Sequence, residues 1–542
     1  MRAALVLLYL LSVWKQAQGA PELWPCTVTE KWTSSRRTGD SERHRQEGEA
    51  VPGIPFAQPP VGPLRLAAPQ EAQPWTEEKN CTTQPPMCIQ DPHIVVNVSK
   101  VMAMLFTPLT SQRTVCISMC TPRRCSSRRQ AASTVLDPWR RPHCGAASQY
   151  DGSSLAAYEN MVIVIIQYRL GILGFLSTGD EHAQGNWGFL DQLLALRWVQ
   201  ENIEVFGGDP QSVTIGGESA GGISASILTL SPLSKGLFQK AIFQSGVATL
   251  GSYTTHNPLT HTKIIANITG CARTSTEEMV QCIRAMTKEQ LVDATKKIQI
   301  YLGAVVDGKF LTNSAEELLK KHEMMKVPVM LGITNHELDG SCLSHKCNFL
   351  KAFGPPGWEQ GMTREAMMAA SSVNTLIADE YLQDAHSPEA VRDRFTEVIG
   401  DVLMTVPVVN VAGYLSVAYR AELFKDSRPS FVKADHADDV GFVFGACFWN
   451  GNIKVIGNFT KEEENLCRNM MSYWANFART GSPNGPGLPS WPLYDRQQQA
   501  YMELGPTQTV KHKLRDHRVH FITTTLPQKL QEQAAAGNKN IN

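Results

Sequence analysis

Residues 212–230, SVTIGGESAGGISASILTL, decide the fold. Ser212 to Ile215 is a short β-branched run and reads as a strand. Gly217 begins a turn, and the small, apolar run Ala220 to Leu230 reads as a helix. Between them Gly217-Glu218-Ser219-Ala220-Gly221 matches G-x-S-x-G. Such a serine sits on a sharp strand-to-helix bend, where neighbouring glycines avoid the clash a Cβ would make. The bend lifts the hydroxyl above the sheet edge and aims the next N–H, at a helix N-terminus, at a developing oxyanion. Ser219 is therefore the candidate nucleophile and the Ala220 N–H a candidate oxyanion donor. The five-residue pattern recurs by chance in long chains; the strand before it and the helix after it make it specific.

Outward from this bend, strand and helix alternate. Met161 to Tyr168 (MVIVIIQY) is continuously apolar, as a strand buried on both faces should be. Leu190 to Phe206 follows as a helix with Leu190, Leu193, Leu194 and Trp198 on one face, stopped by Gly207-Gly208-Asp209-Pro210. Ala241 to Phe243 and Val327 to Thr334 are further short strands, and residues 255–320 and 345–405 look mainly helical. This alternation predicts an α/β protein with a mostly parallel sheet and helices on both faces. No repeat or low-complexity linker divides the 542 residues, so a single domain from residue 20 onward is expected.

Residues 1–19 read as a signal peptide. Arg2 precedes an apolar run from Ala3 to Trp14, and Ala17-Gln18-Gly19 offers small residues for cleavage. The run is too short to span a bilayer, and no later stretch is long enough, so no transmembrane anchor is expected. The C-terminal residues 538–542 are not a KDEL-type retrieval signal, which leaves secretion and the endoplasmic reticulum lumen both open. Sequons at Asn80, Asn97, Asn267 and Asn458 are usable glycosylation acceptors in that compartment. Of thirteen cysteines, Cys271 and Cys282 lie in polar sequence close enough for a local disulfide. No CxxC pair occurs and no zinc-type spacing, so no metal site is expected. Lys plus Arg equals Asp plus Glu at 51 each, which gives no reason to expect nucleic acid as a partner.

Several motifs together resemble the type-B carboxylesterases, most of all the mammalian carboxylesterase 2 group. They are Gly53-Ile54-Pro55-Phe56-Ala57-Gln58-Pro59-Pro60, Gln167-Tyr168-Arg169-Leu170-Gly171, Gly185-Asn186-Trp187-Gly188, Phe206-Gly207-Gly208-Asp209-Pro210 and the serine box itself. Val306-Asp307-Gly308, Tyr473-Trp474-Ala475-Asn476-Phe477-Ala478 and Gly481-Ser482-Pro483-Asn484 continue the match over nearly the whole mature chain. The resemblance implies an α/β-hydrolase fold with a helical subregion around the active site. It implies hydrolysis of neutral carboxylic esters, xenobiotic ones and acylglycerols included, with no metal or organic cofactor. It also picks out Glu337, after the strand Leu331-Gly332-Ile333-Thr334, as the acid, and His436, in Ala434-Asp435-His436-Ala437, as the base. It supports the glycosylation and the Cys271–Cys282 bridge. The sequence does not set the oligomeric state.

The departures from the family fall mainly in residues 112–144. After a strand the family carries a His-Gly-Gly-Gly or His-Gly-Gly-Ala loop that supplies most of the oxyanion hole. The matching stretch, Ser133 to Gly145 (STVLDPWRRPHCG), has none, and Trp139, Arg140 and Arg141 stand where the glycines belong. Codons for Trp-Ile-His-Gly-Gly-Ala-Leu (TGG ATC CAT GGA GGC GCC CTC), read from the third base, give Asp-Pro-Trp-Arg-Arg-Pro, which is Asp137 to Pro142. A family segment upstream can be coded so that the same shift gives Arg113 to Cys120. The stretch thus reads as family sequence translated out of frame, through a gene-model error or a degraded gene. Seven arginines fall between Arg113 and Arg141, with no acid before Asp137. Burying that charge is costly, so the segment is expected to loop out and leave the sheet one or two strands short. Lys31 to Ala50 is polar and basic where the family has an early hairpin, and Leu415 to Arg428 is a weak match where it has an aromatic strand. An inactive relative that keeps only a scaffold or binding role is the competing expectation.

Overall fold

A computed structural model describes residues 26–27, 30–37, 43–74, 79–80, 84–101, 104–105, 116–122, 130–135, 145–250, 253–298, 300–337, 372–411, 414–417, 428–449 and 453–539. Eleven strands form one sheet: β1 (Glu30–Arg37), β2 (Arg43–Pro55), β3 (Cys116–Pro122), β4 (Gln130–Val135), β5 (Val162–Gln167), β6 (Gly208–Glu218), β7 (Lys240–Gln244), β8 (Val329–Thr334), β9 (Tyr414–Val417), β10 (Ala500–Leu504) and β11 (Thr509–His512). Their spatial order is β11-β10-β9-β8-β7-β6-β4-β5-β3-β2-β1. From β10 through β5 every neighbouring pair is parallel; the pairs outside that run are antiparallel.

The central strands follow from their composition. Every residue of β5 (VIVIIQ) is buried, and β7 (KAIFQ) is buried along its length. Such strands need cover on both faces, which parallel crossovers supply. One face carries Trp187–Asn202 (α1) and Ala220–Leu230 (α2), whose Leu193, Leu196, Ile223, Ile227 and Leu228 pack into the same core as Val164, Val213 and Phe243. The other face carries Asp438–Val443 (α3) and Lys461–Thr480 (α4), whose Phe442, Met470 and Trp474 pack with Ile163, Ile242 and Met330. The predicted α/β class and parallel sheet are observed.

The expectation that residues 112–144 loop out is corrected. Cys116–Pro122 and Gln130–Val135 are both strands, and β4 runs in the middle of the sheet between β5 and β6. The two strand segments, CISMCTP and QAASTV, contain no charged residue. All seven arginines lie before, between or after them, outside the described residues. Averaging composition over the whole stretch hid this segregation. Within the basic segment from Lys31 to Ala50, the described residues pair antiparallel as β1 and β2, with β1 at the sheet edge, a position that tolerates charge. Residues 1–19 and 136–144 fall outside the described residues.

The motifs of the sequence turn out to be joints. Arg169 makes a two-pronged ion pair with Asp191 of α1 (2.7 and 2.8 Å), and its main-chain N–H donates to the same carboxylate. Asn186 donates to Val305 O and Asp307 Oδ2 and accepts from Val305 N, tying Gly185-Asn186-Trp187-Gly188 to Val306-Asp307-Gly308. Disulfides join Cys271 to Cys282 and Cys447 to Cys467.

Candidate active site

β6 ends at Glu218 and α2 begins at Ala220, so Ser219 alone makes the bend. It does so at φ +56° and ψ −118°, left-handed backbone that a side chain rarely adopts. The strain is held in place from both sides. Ser219 N–H donates to Gln244 O of the next strand (2.8 Å), and Ser219 O accepts from Ile223 N–H (2.9 Å). Gly222 lets the bend pack closely: a Cβ there would lie 2.8 Å from the carbonyl oxygens of Gln244 and Gly246. Ala220 is the first residue of α2, so its N–H has no acceptor within the helix.

Glu337 stands three residues beyond β8 and His436 two residues before α3. The fold brings both to Ser219. His436 Nε2 lies 2.8 Å from Ser219 Oγ, and His436 Nδ1 lies 2.5 Å from Glu337 Oε2. All three side chains are buried, at 3, 4 and 3 % exposure for Ser219, Glu337 and His436. The second oxygen of Glu337 accepts from Ser245 Oγ (2.5 Å) and from Thr334 N–H (2.8 Å). Burial by itself would raise the Glu337 pKa. The charge and hydrogen bond of His436, with the Ser245 and Thr334 donors, outweigh it and hold the carboxyl below its usual value. An ionised Glu337 fixes the ring proton on Nδ1 and leaves the Nε2 lone pair facing the serine hydroxyl.

The loop carrying His436 is braced by charge. Arg428 meets Asp438 at 2.7 Å with both side chains buried, and the other Asp438 oxygen accepts from Asp435 N–H (2.9 Å). His336 N–H donates to Ala434 O (3.1 Å), linking the Glu337 loop to the His436 loop. The His336 ring is held at a pKa of about 4 by burial first, with Lys433 and Arg515 adding to the effect.

Residues that the sequence did not single out join the site. Glu218 Oε1 lies 3.1 Å from His436 Nε2. Asp439, on the first turn of α3, accepts a 2.7 Å hydrogen bond from Gln244 Nε2. Its pKa is raised to about 6 by burial first, and by the Glu337 charge. Glu218 sits inside the serine box, so its place beside the nucleophile was legible. Gln244, Ser245 and Asp439 carry no local pattern that marks them. Asn97, Asn267 and Asn458 are exposed, and the Asn80 side chain lies outside the described residues.

A buried serine at a strained strand–helix bend, backed by a histidine and a carboxylate on later loops of a parallel sheet, defines a serine hydrolase of the α/β-hydrolase class. The sequence profile of the carboxylesterase family matches residues 37–522. The chain is 41 % identical to carboxylesterase 5A of Canis lupus familiaris over 490 residues, covering 88 % of this chain and 84 % of that protein. It is 40 % identical to pyrethroid hydrolase Ces2a of Mus musculus over 503 residues, 90 and 89 % of the two chains. It is likewise 40 % identical to cocaine esterase of Homo sapiens over 507 residues, 89 and 88 % of the two. The chain belongs to the carboxylesterase family, serine enzymes that hydrolyse carboxylic esters.

Proposed function

We propose that this chain hydrolyses neutral carboxylic esters, xenobiotic ones among them, through an acyl-enzyme on Ser219. His436 takes the Ser219 proton as Oγ attacks the acyl carbon and gives it to the leaving alcohol. Water, activated by the same ring, then releases the acid and restores Ser219. Glu337 holds the ring tautomer and stabilises the imidazolium. Glu218 gains from its contact with Nε2 only once that atom carries a proton, so it too favours the charged ring over the neutral one. The Ala220 N–H faces the oxyanion. The observation that carries this reading is the unbroken line of hydrogen bonds from Ser219 Oγ through His436 to Glu337. The relatives named for hydrolysis of a pyrethroid and of cocaine favour small ester substrates.

The reading extends to the cell. A signal peptide over 1–19, entry into the secretory pathway and glycans on Asn97, Asn267 and Asn458 fit one another, since the three acceptors are exposed. Among the described residues no helix is long and apolar enough to cross a membrane.

One observation favours a second reading, an impaired relative. Residues 136–144 carry Trp139, Arg140 and Arg141 in place of the glycines whose N–H groups serve the oxyanion. Losing one such donor costs about 3–4 kcal/mol of transition-state stabilisation, so losing two leaves turnover lower by roughly four orders of magnitude or more. Turnover of a p-nitrophenyl ester by the chain and by Ser219→Ala separates the two. A rate that vanishes with Ser219 supports the enzyme. Equal rates, with no fluorophosphonate label on folded protein, support the impaired relative. Sequencing the transcript across the codons for 112–144 decides between an error in the reading frame and an inherited change.

A further inference from the structure

We propose that Gln244 is a positioning residue for this hydrolysis, its side-chain amide holding Asp439 of the helix that follows His436 while its main-chain carbonyl holds the Ser219 bend. The proposal rests on the triad reading above and adds to it the part that fixes the triad's members relative to one another.

Gln244 is the last residue of β7 and is 7 % exposed. Its Cα pairs with Glu218 of β6 on one side and Gly332 of β8 on the other. It therefore stands between the strand that delivers Ser219 and the strand that delivers Glu337. Its carbonyl accepts from Ser219 N–H (2.8 Å), and Ser245 donates from Oγ to Glu337 and from N–H to Gly332 O (2.7 Å). The corner Gln244-Ser245 thus touches the nucleophile and the acid directly.

The side chain of Gln244 reaches the third member. Trp474 Nε1–H of α4 donates to Gln244 Oε1 (3.0 Å), and Gln244 Nε2 donates to Asp439 Oδ2 (2.7 Å). The indole nitrogen only donates, so it fixes which end of the amide faces it and turns the NH₂ towards the carboxylate. Asp439 is 2 % exposed and lies three residues after His436, on the first turn of α3. Among the described residues, the charged or titratable groups that act on it are Glu337 and His436; Glu218 contacts the ring as well. Arg428 pairs with Asp438. A buried carboxylate without an arginine or lysine is expensive. A positive imidazole at His436 favours that charge further, and the ring becomes positive in the transition state. The amide hydrogen bond from Gln244 keeps Asp439 available in its charged form, against the burial that favours the neutral one.

The test uses the full chain with Gln244→Met, Asp439→Asn and the double variant. Asp439→Asn keeps an acceptor for Gln244 and removes only the charge, so it guards against a variant that fails to fold. Two quantities are read: kcat and KM for a p-nitrophenyl ester across pH, and the His436 ring titration by NMR of histidine-labelled protein, assigned with His436→Gln. Each single variant is expected to lower kcat about tenfold with KM unchanged, and to move the acid limb of kcat/KM and the ring titration about one unit lower. The double variant is expected to be no worse than Asp439→Asn, because Gln244 acts through that carboxylate. Unchanged ring titration in both single variants, or losses that multiply in the double, would overturn the proposal. If the unmutated chain shows no turnover that depends on Ser219, the hydrolase reading falls by itself; the ring titration still decides the role of Gln244, an unchanged one overturning it and a shifted one supporting it.

Discussion

Two neighbouring strands end at the same edge of the sheet and deliver very different sequence there. β6 and β4 are parallel and paired, with Val135 in register with Gly216, three residues before Ser219. β6 runs into a bend in which Gly217, Ser219, Gly221 and Gly222 are all where the chemistry needs them. β4 runs into residues 136–144, with two prolines that lack an N–H and two arginines, in the place of an oxyanion loop. The contrast teaches that a strand and the loop after it answer to different demands. A central strand needs small, uncharged or β-branched residues, and QAASTV still meets that need. An oxyanion loop needs main-chain donors at set positions, and almost any substitution removes them.

The largest effect is expected from erasing the contrast. Replacing residues 136–144 by a His-Gly-Gly-Gly-containing loop between Val135 and Gly145 should raise ester turnover by about four orders of magnitude. No gain in a folded graft would mean that the deficit lies elsewhere. A second measurement probes the bracing on the intact side. Cys447→Ala opens the bridge to Cys467, twenty residues on and just beyond the His436 helix. It should cost about 3 kcal/mol of stability in a chemical melt under oxidising conditions. An equal loss in Cys467→Ala, with nothing further lost in the double variant, would show that the bridge is responsible, and no loss in Cys447→Ala would show that it adds no stability. Damage to the bend itself comes next. Gly222→Ala places a Cβ 2.8 Å from the carbonyls of Gln244 and Gly246. The displaced hydroxyl should cost about a hundredfold in turnover, while the melt shows the protein still folded. Wild-type turnover would mean that the bend tolerates movement.

The smallest effect is a pH dependence. The His336 pKa is about 4 in the folded chain, below the value of about 6.5 for the free side chain. The unfolded chain therefore binds the proton more readily. This histidine's share of stability is full above pH 6.5 and is lost as pH falls towards 4. Because the ring is partly open to solvent, the share is about 1 kcal/mol. His336→Phe should flatten the stability profile across that window; an unchanged slope would assign the acid sensitivity to other groups.

Much of this was legible in residue order. β5, β6, β7, β8 and α2 lie within a few residues of where periodicity puts them, because buried parallel strands and small-residue helices have distinct compositions. The bend at Ser219 was legible from five residues. His436 was not: nothing local separates it from thirteen other histidines, and only the resemblance chose it. Cys467 lies on the buried face of α4 beside Leu466 and Met470, so it reads as core rather than as half of a bridge. The expected loss of strands over 112–144 failed because charge was averaged across segments that the fold keeps apart.

Sequence alone determined the class of the fold, the strained serine and the absence of the glycine loop, since each is a matter of residues adjacent in the chain. Tertiary structure alone decided that positions 244 and 439 join 219, 337 and 436, and how the five are linked. Their separation along the chain carries no information about distance. Only the register of β6, β7 and β8 sets the three loop ends side by side. Packing of α3 and α4 against that sheet then closes the histidine onto them.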